Sequence, residues 1–66
     1  MRTEVKIDMI AAVPGVSHAK AEAVVNAYEG SMARIVGVSA TEFARVVHRG
    51  APIGQELGVA IWRALH

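Results

Sequence analysis

Cysteine does not occur in this 66-residue chain. Its absence excludes disulfides and thiolate metal sites. The three histidines, His18, His48 and His66, share no metal-ligand spacing, so neither a metal nor another cofactor is expected. Charge of one sign is also scarce. Seven Lys and Arg oppose six Asp and Glu, a formal net charge of +1. That is a weak electrostatic footprint for a nucleic-acid partner. No apolar run reaches the roughly 18 residues that span a bilayer, so no membrane partner is expected. The start, Met-Arg-Thr-Glu-Val-Lys, has no apolar stretch of signal-peptide type, and a cytoplasmic, intracellular protein is expected. Catalytic motifs are missing too: no nucleophile–base pair, no paired carboxylates at a plausible cleft, no G-x-x-x-x-G-K loop. The expectation is a protein that is not an enzyme.

Low-complexity segments and linkers are absent, which leaves one domain, residues 1–66. Domains of about 60 residues bury only about 60% of their unfolded surface and are marginal alone. Yet 53% of the residues are hydrophobic. A rich core, and apolar surface left over for a partner, are both expected.

Only two prolines occur, and each marks a corner. Val13-Pro14-Gly15-Val16-Ser17 reads as a tight turn between two helices, with Ser17 placed to cap the second. The amides of Gly15, Val16 and Ser17 would then lie bare at a helix start, where donors can hold a phosphate oxygen. The plain alternative is an interhelical turn whose glycine serves backbone shape alone. Before this corner, Thr3 can cap a helix from about Glu4 to Ala12, with Val5, Met9, Ile10 and Val13 on one stripe and Ile7 and Ala11 widening it. After it, a helix from about His18 to Tyr28 buries Ala21, Val24, Val25 and Tyr28, and Gly30 stops it. A short helix, Met32–Val36, follows Ser31, with Met32, Ile35 and Val36 inward. Ser39-Ala40-Thr41-Glu42 is a capping box, with Val38 positioned to staple onto Phe43. That fourth helix is expected to reach about His48, burying Phe43, Val46 and Val47. The second corner spans His48 to Gly54 around Pro52. A last helix runs from about Gln55 to Leu65, with Leu57, Ala60, Ile61, Ala64 and Leu65 on one face.

The two halves resemble each other. Val16-Ser17 overlays Ile53-Gly54, which sets Gly15 against Pro52, Ala21 against Gly58, and Val24-Val25 against Ile61-Trp62. With the joining runs Gly30-Ser31-Met32 and Ser39-x-x-Glu42-Phe43, residues 5–65 resemble the tandem helix-hairpin-helix family. They are similar to the tandem domains of RuvA- and UvrC-type DNA-processing proteins. The resemblance implies an all-α, compact five-helix (SAM-like) domain with pseudo-two-fold symmetry. Its first hairpin lies at about 13–17, its connector helix at 31–36 and its second hairpin at about 48–54. It also implies DNA as partner, gripped at the phosphate backbone without base reading. Gly15, Val16 and Ser17 would donate amides, with His18 and Lys20 beside them. Ile53, Gly54 and Gln55 would do so in the second half, helped by Arg49. The sequence departs from the family pattern at several points. Ser17 replaces a hairpin glycine, Pro52 has no N–H, and the second hairpin is longer by several residues, His48 to Ala51. The helix position that often carries Lys in DNA-binding members is Ala19 in the first half and Glu56, a carboxylate where a phosphate would sit, in the second.

The other cations, Arg2, Lys6, Arg34, Arg45 and Arg63, are expected to be solvated. Val59 and Trp62 lie off the apolar face of the last helix. They form a candidate partner surface for a homodimer or for a larger DNA-processing protein, because Trp is enriched at interface hot spots. A protein–protein interaction domain on this scaffold, with weak or no DNA binding, is therefore the alternative function.

Overall fold

The computed structural model describes residues 3–66, so Arg2 lies outside it. Five helices and a two-stranded ribbon follow in the order α1 (Thr3–Ala11), α2 (His18–Ala27), α3 (Met32–Val36), α4 (Ala40–Ala44), β1 (Val47–His48), β2 (Ala51–Pro52) and α5 (Gln55–Leu65). The chain is mostly helical. Its radius of gyration, 10.2 Å, is close to the roughly 11 Å of a folded chain this long.

Serines start three of the helices. Ser17, Ser31 and Ser39 take extended backbone angles, and each Oγ accepts from the amide three residues on: Lys20 at 3.2 Å, Arg34 at 3.3 Å and Glu42 at 3.2 Å. Each bond satisfies one orphan donor of the first turn. Ser39→Ala is expected to cost about 1 kcal/mol, read from urea denaturation. A cost near zero would mean that α4 is held by packing alone.

The end of α2 is closed by Glu29 as well as by Gly30. Glu29 adopts φ 57° and Gly30 φ 71°. The Gly30 amide donates to Val25 O at 2.9 Å and that of Glu29 to Asn26 O at 3.1 Å, the paired bonds of a Schellman ending. Lys6, expected to be solvated, is half-buried, and its Nζ donates to Gly30 O. Arg34 stays in solvent, 3.5 Å from Glu29, a pair too exposed to stabilise much.

Ile10, Ala21, Val24, Val25, Ile35, Phe43 and Ile61 form the innermost core, each at most 1% exposed. Among the described residues no polar or charged side chain is buried. Four expected core residues lie outside: Val5, Met9, Val36 and Val47 are 43–61% exposed. For Val5 and Met9 the reason is that α1 packs chiefly on α2. One narrow stripe, Ile7, Ile10 and Val13, suffices for that contact. Ala64 is exposed as well.

Val47 is exposed because α4 ends earlier than expected. The helix stops at Ala44, not near His48. The amides of Arg45 and Val46 tighten onto Glu42 O and Phe43 O. The returning chain then takes two carbonyls: Gly54 N–H donates to Ala44 O at 3.2 Å and Ile53 N–H to Val46 O at 2.9 Å. From Val46 onward the side-chain period is two, so Val46 points in and Val47 out. β1 and β2 pair antiparallel, Val47 with Pro52 and His48 with Ala51. Arg49 (φ 52°) and Gly50 (φ 78°) close the ribbon with the left-handed pair that two-residue hairpins require.

Candidate nucleic-acid interface

Two corners lead into the two long helices, and they are built differently. In the first, the Val16 amide donates to Val13 O at 3.0 Å and Gly15 takes φ +87°. Val13 and Val16 are buried, which pins the corner. Pro14, Gly15, Ser17 and His18 are exposed. Lys20 is half-buried, its own amide held by the Ser17 cap. In the second corner Gly54, at φ 97° and ψ 161°, is the N-cap of α5 and has no side chain to offer the first turn. The amides of Gln55, Glu56 and Leu57 therefore make no hydrogen bond within the described residues.

Three of the expected amide donors are thus corrected. Val16, Ile53 and Gly54 spend their N–H groups inside the fold, because tight corners close on those bonds. Among the described residues the N–H groups of Gly15, Ser17 and Gln55 make no internal bond. Neither do those of His18 and Ala19 at the start of α2, or of Glu56 and Leu57 at the start of α5. The cap position was the signal for His18, Ala19, Gln55, Glu56 and Leu57, since the first amides after a cap have no carbonyl of their own helix to bond.

The corners meet. A Cβ placed on Gly15 would lie 3.2 Å from Leu57 Cδ2, so the first corner rests on the first turn of α5. Arg49 stands apart from this contact, exposed at the tip of the ribbon.

Charge is segregated along the chain in a way that net charge conceals. Residues 9–21 contain no carboxylate and lie between Asp8 and Glu22. Residues 43–55 contain none either, between Glu42 and Glu56. The first window holds His18 and Lys20, the second Arg45, His48 and Arg49. Each window runs into the start of a long helix.

Other features of the surface are less organised. An open groove of about 480 Å³ lies between the end of α2, α4 and β1, lined by Ala27, Tyr28, Glu42, Arg45, Val46 and Val47. The Tyr28 hydroxyl there is pushed above its ordinary pKa, first by burial and then by the Glu42 carboxylate, with Arg34 opposing. Trp62 is 39% exposed and stacks on the His66 ring at 4.6 Å. His66 Nε2 lies 3.0 Å from Val36 O. Val59 is half-buried and outside the core cluster. Among the described residues no three His, Asp or Glu side chains gather as metal ligands, and no helix is long and apolar enough to cross a membrane.

No protein-family model, curated protein or solved structure matches the chain.

Proposed function

We propose that this domain is a tandem helix-hairpin-helix module that binds duplex DNA without reading bases, holding phosphates at the starts of α2 and α5. The observation that carries the reading is the contact of Gly15 with Leu57, which sets the first corner on the first turn of α5. Bare amides at a helix start favour an anion through both their hydrogen bonds and the helix dipole. Two such starts on one small domain suit a ligand with regularly spaced phosphates. The acid-free window 9–21 adds the charge of Lys20 at the start of α2.

The repeat supports the pseudo-two-fold reading. Ser17 and Gly54 are the N-caps of α2 and α5. Four residues on, Ala21 and Gly58 are both buried; seven residues on, Val24 and Ile61 are both 0% exposed. Glu56 makes the α5 start the weaker of the two phosphate sites, since its carboxylate repels the ligand.

Proline substitution at the first helical residue tests the amides directly. Pro is tolerated there and removes one N–H. Ser17 already has the extended angles that a residue before proline requires. His18→Pro should therefore keep the helical circular dichroism while lowering duplex affinity about ten- to a hundredfold, the worth of a charged hydrogen bond. His18→Ala, which keeps the amide, should lose less. Wild-type affinity should also fall steeply with salt. Salt-insensitive binding, or equal affinity of the two His18 variants, would count against the proposal.

A second reading, a dimerisation or partner-binding domain with weak DNA affinity, draws on Trp62, which is too exposed for a core residue. Sedimentation equilibrium decides it: a monomer across the concentration range removes self-association.

A further inference from the structure

The first corner turns in five residues, Val13–Ser17. The second carries a ribbon before its cap, and nothing in the capping of α5 requires that insertion. The ribbon is thin at its tip. Gly50 has open space around the position of a Cβ, Ala51 is small, and Pro52 brings no N–H to the outer edge. Arg49 is the one charged side chain among residues 47–52.

Its presence is not explained by the turn. Two-residue hairpins of this type prefer Asn, Asp or Gly at both central positions. A long side chain at φ 52° is uncommon and goes against local preference. Residues that break a local rule without a packing gain are where function is expected. Arg49 gains no packing, since it is exposed.

Reach decides what the side chain can meet. Arg49 lies five residues from the α5 cap, at most about 17 Å of extended chain. A duplex carries one charge per about 1.7 Å of axis, so this is the span of about ten phosphates. A duplex seated at the start of α5 comes within reach of the ribbon. The minor groove is about 6 Å wide, and A·T tracts narrow it and deepen its negative potential, which draws in arginine. The paired strands are too wide for such a slot, but a single guanidinium at the tip of the ribbon can enter it while the strands stay outside.

We propose that the 47–52 ribbon is a groove-width sensor: Arg49 enters the minor groove of the bound duplex and gives the domain a preference for narrow, A·T-rich tracts. This rests on the duplex-binding reading, and it adds shape selection to a grip that reads no bases.

The test compares affinities of the full chain for two duplexes of equal length, an A-tract and an alternating G·C sequence, at one salt concentration. Wild type should favour the A-tract several-fold. Arg49→Asn supplies the residue that the turn prefers, so the melting temperature should hold or rise while the ratio falls to unity. Arg49→Lys should keep part of the ratio, because ammonium is the more strongly hydrated cation. Equal wild-type affinity for the two duplexes, or a ratio that survives Arg49→Asn, overturns the inference and leaves the phosphate grip standing. Binding to neither duplex at low salt overturns the grip itself, and the ribbon's role with it.

Discussion

Gly58→Ala will destabilise the domain by about 2–3 kcal/mol, although it adds a better helix former to the middle of α5. The new Cβ would sit 2.6 Å from Ala40 O, 2.8 Å from Ala44 N and 3.1 Å from Ala44 Cα. All three atoms belong to the backbone of α4, so no side chain can swing aside. Relief requires α4 and α5 to separate, and α4 is fixed at both ends. The Ser39 cap holds its start, and the Gly54 bond to Ala44 O holds its end. Helix propensity alone predicts a gain of about 1 kcal/mol, so the sign of the change separates the two effects. A small domain rarely has more than about 3–5 kcal/mol in hand, so a melting temperature lower by roughly 10–20 °C is expected. A melting temperature that rises would show that the two helices do not approach this closely.

That glycine shows what sequence can and cannot convey. Aligning the halves set Gly58 against Ala21. The sequence could not say that α4 would be the neighbour, because that contact is fixed only by how the chain folds back through the ribbon. Local chemistry was legible at the helix starts and at the first helix break. The Ser17, Ser31 and Ser39 caps, the break at Pro14 and the stop after Tyr28 all depend on neighbours within a few residues. Burial was legible on α2, where both faces of the helix are decided by one clear apolar stripe, and less so on α1. Val5 and Met9 belong to as good a stripe as Ile7 and Ile10, and only the rotation of α1 on α2 chooses between them. Val46-Val47 is the same problem in another form. Two adjacent β-branched residues fit a helix end or a strand, and the bonds from Ile53 and Gly54 select the strand.

The candidate site divides along the same line. That two corners each precede a long helix could be read from Pro14, Gly15, Ser17, Pro52 and Gly54. Which amides stay bare up to each cap could not, because it depends on carbonyls elsewhere in the chain. Val46 and Ala44 claim the amides of Ile53 and Gly54, and Val13 claims that of Val16. The carboxylate-free windows at 9–21 and 43–55 were open to inspection from the start. A net charge of +1 hid them, since it averages over the stretches that bear the cations and those that bear the acids.

Phe43→Ala is the substitution expected to remove the most stability, about 3–5 kcal/mol, enough to unfold a domain this small. Phe43 is 0% exposed on α4, and its ring meets that of Tyr28 edge-on, centroids 6.0 Å apart at 87°. Truncation loses the buried ring, opens a cavity and breaks the aromatic pair. Circular dichroism at physiological temperature should report largely unfolded chain. Phe43→Leu keeps most of the volume and should cost only about 1–2 kcal/mol, leaving a folded protein. Tyr28→Phe keeps the ring contact and should shift stability by less than about 0.5 kcal/mol. The pair matters beyond stability because of its place. Tyr28 ends α2 and Phe43 lies on α4, which α5 approaches closely at Gly58. The aromatic contact therefore joins the helix that follows the first corner to the helices around the second. If the two corners act on one duplex, loosening this joint should weaken binding in a protein that remains helical. Phe43→Leu should lose duplex affinity while Tyr28→Phe retains it, and equal affinities would mean that the corners bind without being held in register.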